Sequence, residues 1–120
     1  MRSSGWSRPM GRRVWLVTGD LVFRAKLRAV VEGAGGELAG AEAAELAVVE
    51  VGSPGWEGRV VEQVGRGVPV LAFGPHVRAD LLRAARECGA VAVPNSQVEE
   101  ALRAFFGPLS ARGSGDTLPS

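Results

Sequence analysis

Leu46-Ala47-Val48-Val49-Glu50-Val51 is an apolar run broken by a single carboxylate. A strand with one wet face would place polar residues at every second position. This one reads as a strand covered on both faces, which occurs where helices flank a parallel sheet. Similar runs lie on either side. Val14-Trp15-Leu16-Val17 precedes it, and Val68-Pro69-Val70-Leu71-Ala72-Phe73 and Ala90-Val91-Ala92-Val93 follow. Pro69 stands at the start of its run, where a missing amide donor is tolerated. Glu37-Leu38-Ala39 makes a weaker strand between the first two strong ones.

The segments between the strands carry helical periodicity. Asp20 stands at an N-cap position, and Phe23, Leu27, Val30, Val31 and Ala34 then recur at helical spacing. Gly33, Gly35 and Gly36 stop that helix. Ser53 followed by Pro54 predicts a second cap, opening a helix with Trp56, Val60, Val61 and Val64 on one side. Leu81, Leu82, Ala85 and Cys88 mark another helix, ended by Gly89. Ser96-Gln97-Val98-Glu99 is a capping-box pattern, leading a last helix with Val98, Ala101, Leu102 and Phe105 inward. Gly40 to Glu45 is too short for a helix with its loops, so the second crossover is expected to shrink to about one turn.

Five buried strands joined by helices, without hairpin turns, imply parallel pairing and right-handed crossovers. The expected architecture is α/β: a flavodoxin-like, doubly wound, five-stranded parallel sheet in the order 2-1-3-4-5. Its second crossover helix is shortened or absent. In such a sheet the functional crevice opens at the carboxyl ends of the first and third strands.

At 120 residues the chain fits one domain that needs neither disulfide nor metal for stability. The foldable part is expected at 13–106. Residues 1–12 and 107–120 are rich in Gly, Ser, Pro and Arg and read as flexible tails. Arg2, Arg8, Arg12 and Arg13 near the start fit a solubilising segment or a contact for an acidic partner. A net charge of +1 argues against a nucleic-acid binder that relies on bulk charge. No apolar run approaches a membrane span, and the start lacks the apolar core of a secretory signal. A lone Cys88 beside a lone His76 excludes an internal disulfide and a structural zinc site. The expected compartment is the reducing cytoplasm. Neither metal nor cofactor is expected: Gly33, Gly35 and Gly36 follow the first helix instead of opening it, so they make no dinucleotide fingerprint.

With these segments in place, the chain resembles the receiver domains of two-component response regulators from about Arg13 to Phe106. The resemblance rests on Val14-Trp15-Leu16-Val17-Thr18-Gly19-Asp20, Leu46 to Val51, Val68 to Gly74, and Leu81-Leu82-Arg83-Ala84-Ala85-Arg86-Glu87-Cys88-Gly89-Ala90. It implies a crevice with five chemical groups. Two carboxylates after the first strand hold Mg²⁺ through oxygen ligands. An Asp ending the third strand accepts the phosphoryl group, while a Ser or Thr after the fourth and a Lys after the fifth stabilise it.

Laid on this sequence, the acidic pair falls on Thr18 and Gly19, with Asp20 one place late. The acceptor falls on Glu50, the hydroxyl on Gly74, and the lysine near Asn95 or Ser96. The longer arm of Glu50 would move the attacking oxygen by more than about 1 Å, enough to spoil in-line attack. The only lysine, Lys26, lies on the first helix. The resemblance therefore implies a degenerate pseudo-receiver, not an enzyme. Its function would be protein–protein interaction or regulatory signalling without phosphorylation.

Three further readings stay open. Glu50 is either a fixed negative charge in the place of a phospho-aspartate or a carboxylate at a wet strand end. The crevice of Thr18, Gly19, Asp20, Glu50, Gly74, His76 and Asn95 would alternatively take a small ligand or nucleotide, with His76 as its titratable group. Outward residues Arg83, Arg86, Glu87, Glu100 and Arg103 lie on the face that receiver-like domains use for docking or dimerisation. The resemblance implies a protein partner or a homodimer there.

Overall fold

The structure, a computed structural model, describes residues 12–106. The tails expected on either side, with Trp6 and the arginines before Arg12, lie outside the described residues. Chain order is β1 (Arg13–Val17), α1 (Leu21–Gly33), β2 (Glu37–Leu38), β3 (Leu46–Glu50), α2 (Trp56–Gly65), β4 (Val70–Gly74), α3 (Ala79–Glu87), β5 (Val91–Pro94), a 3-10 turn (Asn95–Gln97) and α4 (Val98–Phe106). All strands pair in parallel, in the order β2-β1-β3-β4-β5. This is the doubly wound 2-1-3-4-5 sheet that the sequence predicts. No helix among the described residues is long and apolar enough to cross a membrane.

The pleat of β3 explains how both faces are covered. Leu46 and Val48 point to one side, with Leu16, Phe73, Leu27, Val31 and Leu102 of α1 and α4. Ala47 and Val49 point to the other, with Trp56, Val60, Leu82 and Ala85 of α2 and α3. The second side pairs small strand residues, Ala47, Ala72 and Ala92, with the large indole of Trp56. Dense packing on each face holds the strand ends in fixed register. Val17 lies opposite Val49, Glu50 opposite Phe73, and Gly74 opposite Pro94.

The β2–β3 connection is a turn with no helix, as its length requires. Side chains of α2 hold it in place. Buried Gln63 donates Nε2 to the Ala41 carbonyl at 3.2 Å, and Arg66 donates to Ala41 and Glu42 carbonyls at 2.9 Å each.

Two predicted caps are corrected. Ser53 does not cap α2: its hydroxyl donates to the Glu50 carbonyl at 2.8 Å. The chain then turns through Gly55, whose φ of 75° suits glycine, and the helix begins at Trp56. The delayed start puts Trp56, Val60 and Gln63 inward, and leaves Val61 55% exposed. Ser96 does not cap α4 either, because the 3-10 turn occupies that stretch. The Asp20 cap stands as expected, with Oδ1 accepting from the Val22 and Phe23 amides at 2.9 and 3.1 Å.

Candidate functional site

The carboxyl ends of β1, β3 and β4 open onto a cleft of about 540 Å³. Its lining includes Gly19, Asp20, Glu50, Ser53, Arg78 and Leu81. Of the expected crevice residues this lining holds Gly19, Asp20 and Glu50, and a hydrogen bond ties Thr18 to Glu50.

Their polar groups are largely committed to one another. Thr18 Oγ1 donates to Glu50 Oε1 at 2.7 Å, and the Gly19 amide donates to the same oxygen at 3.3 Å. Thr18 Oγ1 also accepts from the Asp20 amide at 3.0 Å. The hydroxyl thus bridges a β3 carboxylate and the β1–α1 turn, joining two strands that are adjacent in the sheet. Asp20 turns Oδ1 toward its own helix, where the amides of the first turn need an acceptor.

Gly74, buried at the end of β4, has no room for a side chain. A Cβ there would collide with Val51 Cγ2, closer than real Cβ contacts allow. The space beside Gly74 is filled by a valine from the end of β3. Nothing in the linear sequence signals this, because it depends on how β3 and β4 meet.

The remaining expected crevice residues lie elsewhere. His76 is exposed on the β4–α3 connection and is not part of the cleft lining, whereas its neighbours Pro75 and Arg78 are. Asn95 is half-buried in the 3-10 turn, outside the cleft lining, with Oδ1 lacking a hydrogen-bond partner among the described residues. Sequence reasoning missed Arg78. Its guanidinium reaches Asp80 through two 3.2 Å hydrogen bonds on the exposed rim. These bonds raise Arg78 above its ordinary value and hold the Asp80 carboxyl below the usual range.

The donor set does not fit a divalent cation. Mg²⁺ demands near-octahedral oxygen ligation, usually with carboxylates. Here the residues that follow β1 are Thr18 and Gly19, which bring no carboxylate, Asp20 is turned to α1, and Glu50 Oε1 is shared by a hydroxyl and an amide. No cluster of three or more His, Cys, Asp or Glu suited to a metal occurs among the described residues.

Solved structures share this arrangement of strands and helices. A protein assigned as a response regulator from Chloroflexus aurantiacus J-10-fl superposes with a TM-score of 0.64 at 17% identity, over 77% of this chain and 91% of that one. NtrX from Brucella abortus, solved in complex with ADP, gives 0.62 at 15% identity, over 87% of this chain. The fold is receiver-like. The match spans 29% of the NtrX chain, so most of that protein has no counterpart here. No family model and no curated protein matches the sequence.

On the receiver-like domain, the expected partner residues Arg83, Arg86, Glu87, Glu100 and Arg103 are all exposed. They are not equally free. Arg86 Nη2 donates to the Ala92 carbonyl of β5 at 2.9 Å.

Proposed function

We propose that this chain is a receiver-like signalling domain that neither takes up nor transfers a phosphoryl group, and that acts by binding another protein in the cytoplasm. The observation that carries the proposal is the occupied hydroxyl seat at Gly74. A receiver stabilises its transferred group with a side chain from that position, by placement and charge. Here Val51 fills the space. The Thr18 hydroxyl and the Gly19 amide engage the carboxylate at the acceptor position, which further supports a crevice turned to structural use.

The partner surface we assign is the α3–β5–α4 side, through Arg83, Glu87, Glu100 and Arg103. These residues are exposed on the C-terminal half of α3 and on α4, and they carry both signs of charge. The same face serves a homodimer or a different protein. Incubation with acetyl phosphate and Mg²⁺, followed by intact-mass measurement, tests the first half of the proposal. The expected spectrum is unchanged. A mass gain of one phosphoryl group that disappears in Glu50→Gln would sink it. Reversal of Arg83 and Arg103 to Glu tests the second half: a binding partner retained at full strength would contradict the assignment.

The open cleft supports a second reading, a small-ligand or nucleotide site beside Glu50 and Arg78. Thermal melting with and without nucleotide separates the two, since a ligand bound only by the folded chain raises the midpoint.

A further inference from the structure

The two edges of the sheet are protected differently. β2 is two residues long and offers little to pair with. β5 is longer, runs Val91–Pro94, and pairs on one side only, with β4. An open row of backbone donors and acceptors is a template for another strand. We infer that Arg86 closes this edge against β5 of a second copy of the chain.

The outer row can be accounted for group by group. An extended residue directs its N–H and C=O to the same side, and successive residues alternate. The Ala92 carbonyl accepts from Arg86 and therefore faces the open side. By the same alternation Pro94 faces outward too, and proline has no N–H to offer. Just before the strand, the Ala90 amide donates to the Ala85 carbonyl of α3 at 3.0 Å. The outer row of β5 is left with one backbone donor, the Ala92 amide; of its acceptors, the Ala92 carbonyl is covered by a guanidinium and the Pro94 carbonyl lies at the strand's end.

Removing that guanidinium changes what Ala92 presents. It then offers one donor and one acceptor to the outside, the pair that two residues exchange at a hydrogen-bonded antiparallel site. A second β5 supplies the same pair in reverse, so the contact is self-complementary about a two-fold axis. Val91 is 64% exposed and adds apolar surface next to the edge. The strand therefore fits another copy of itself, and Arg86 keeps the two apart. This goes beyond the reading of the crevice and is independent of it. It also limits how a partner meets the α3–β5–α4 side, through side chains and not by strand addition.

Sedimentation velocity on the full 120-residue chain, over a wide concentration range, tests the inference. Arg86→Ala is expected to tighten self-association by on the order of tenfold relative to the unaltered chain, equivalent to about 1.4 kcal/mol. Adding Val91→Lys to Arg86→Ala should reverse the gain. Arg86→Met, which keeps the aliphatic stem and removes only the guanidinium, should shift association the same way. It decides the matter if Arg86→Ala fails to fold by circular dichroism. Folded variants that sediment like the unaltered chain at every concentration would overturn the inference. So would an Arg86→Ala dimer that Val91→Lys leaves intact.

Discussion

The crevice and the β5 edge both present groups that could take an outside partner, and in both the chain supplies that partner itself. They differ in how deeply this is built in. At the crevice, Val51 fills the seat beside buried Gly74, and Thr18 and Gly19 converge on Glu50 from an adjacent strand end. At the edge, one exposed arginine covers one carbonyl. A closure made of core packing cannot be reopened without loss of stability. A closure made by one surface side chain can be removed at little cost to the fold, since surface substitutions mostly change stability by less than about 0.5 kcal/mol.

The sharpest way to break this contrast is to rebuild the missing hydroxyl. Gly74→Thr forces its side chain onto Val51 and should destabilise the chain by about 3 kcal/mol, the upper range for overpacking a core. Urea denaturation reads this as a lower midpoint with an unchanged slope. Val51→Ala in the same chain should recover a large part of the loss, whereas additive effects would mean that the two positions do not share the seat.

Thr18→Val should cost less, about 1–2 kcal/mol, by removing a hydrogen bond to a half-buried carboxylate. In Glu50→Gln the same change should cost less than in the unaltered chain, because a neutral amide needs the hydroxyl less. Equal losses in the two backgrounds would show that Thr18 and Glu50 are not coupled. Asp20→Ala removes the α1 cap and should cost about 1 kcal/mol; Asp20→Ser should restore most of it, which marks the residue as a cap and not a metal ligand.

The smallest effect belongs to the cleft rim. Hydrogen bonds from Arg78 hold the Asp80 carboxyl below its ordinary range. A group depressed on folding contributes stability above its unfolded value, and that contribution is lost as pH falls through the folded value. Both partners are exposed, so solvent screens the pair. Melting curves at low salt should show slightly more acid sensitivity in the unaltered chain than in Asp80→Asn, and no difference at high salt.

The strands were legible because β1, β3 and β4 are apolar on both faces, and that pattern alone implies a parallel sheet. The missing second crossover helix was legible from length. The cap at Asp20 was correct because no competing acceptor intervenes, whereas Ser53 found the Glu50 carbonyl before it reached a helix amide. Gln63 was missed because it is polar, although it follows Val60 by three residues and Trp56 by seven, on the same helical side. At the crevice, Thr18, Gly19 and Glu50 were identified by position. Val51 was not, since its entry into the Gly74 seat depends on side-chain direction where β3 leaves the sheet. By sequence Arg86 is one of the outward residues of the expected partner surface, and the Ala92 carbonyl it covers becomes visible only with the strand paired on one side.

The most direct measurement of the crevice is a ¹⁵N amide spectrum of the chain recorded with and without Mg²⁺ and a phosphate-mimicking fluoride such as beryllofluoride. With its groups already engaged, the expected spectra superimpose at Gly19, Asp20, Glu50, Val51 and Gly74. Saturable shifts confined to those amides, dependent on both additives and lost in Glu50→Gln, would contradict a crevice closed by its own side chains.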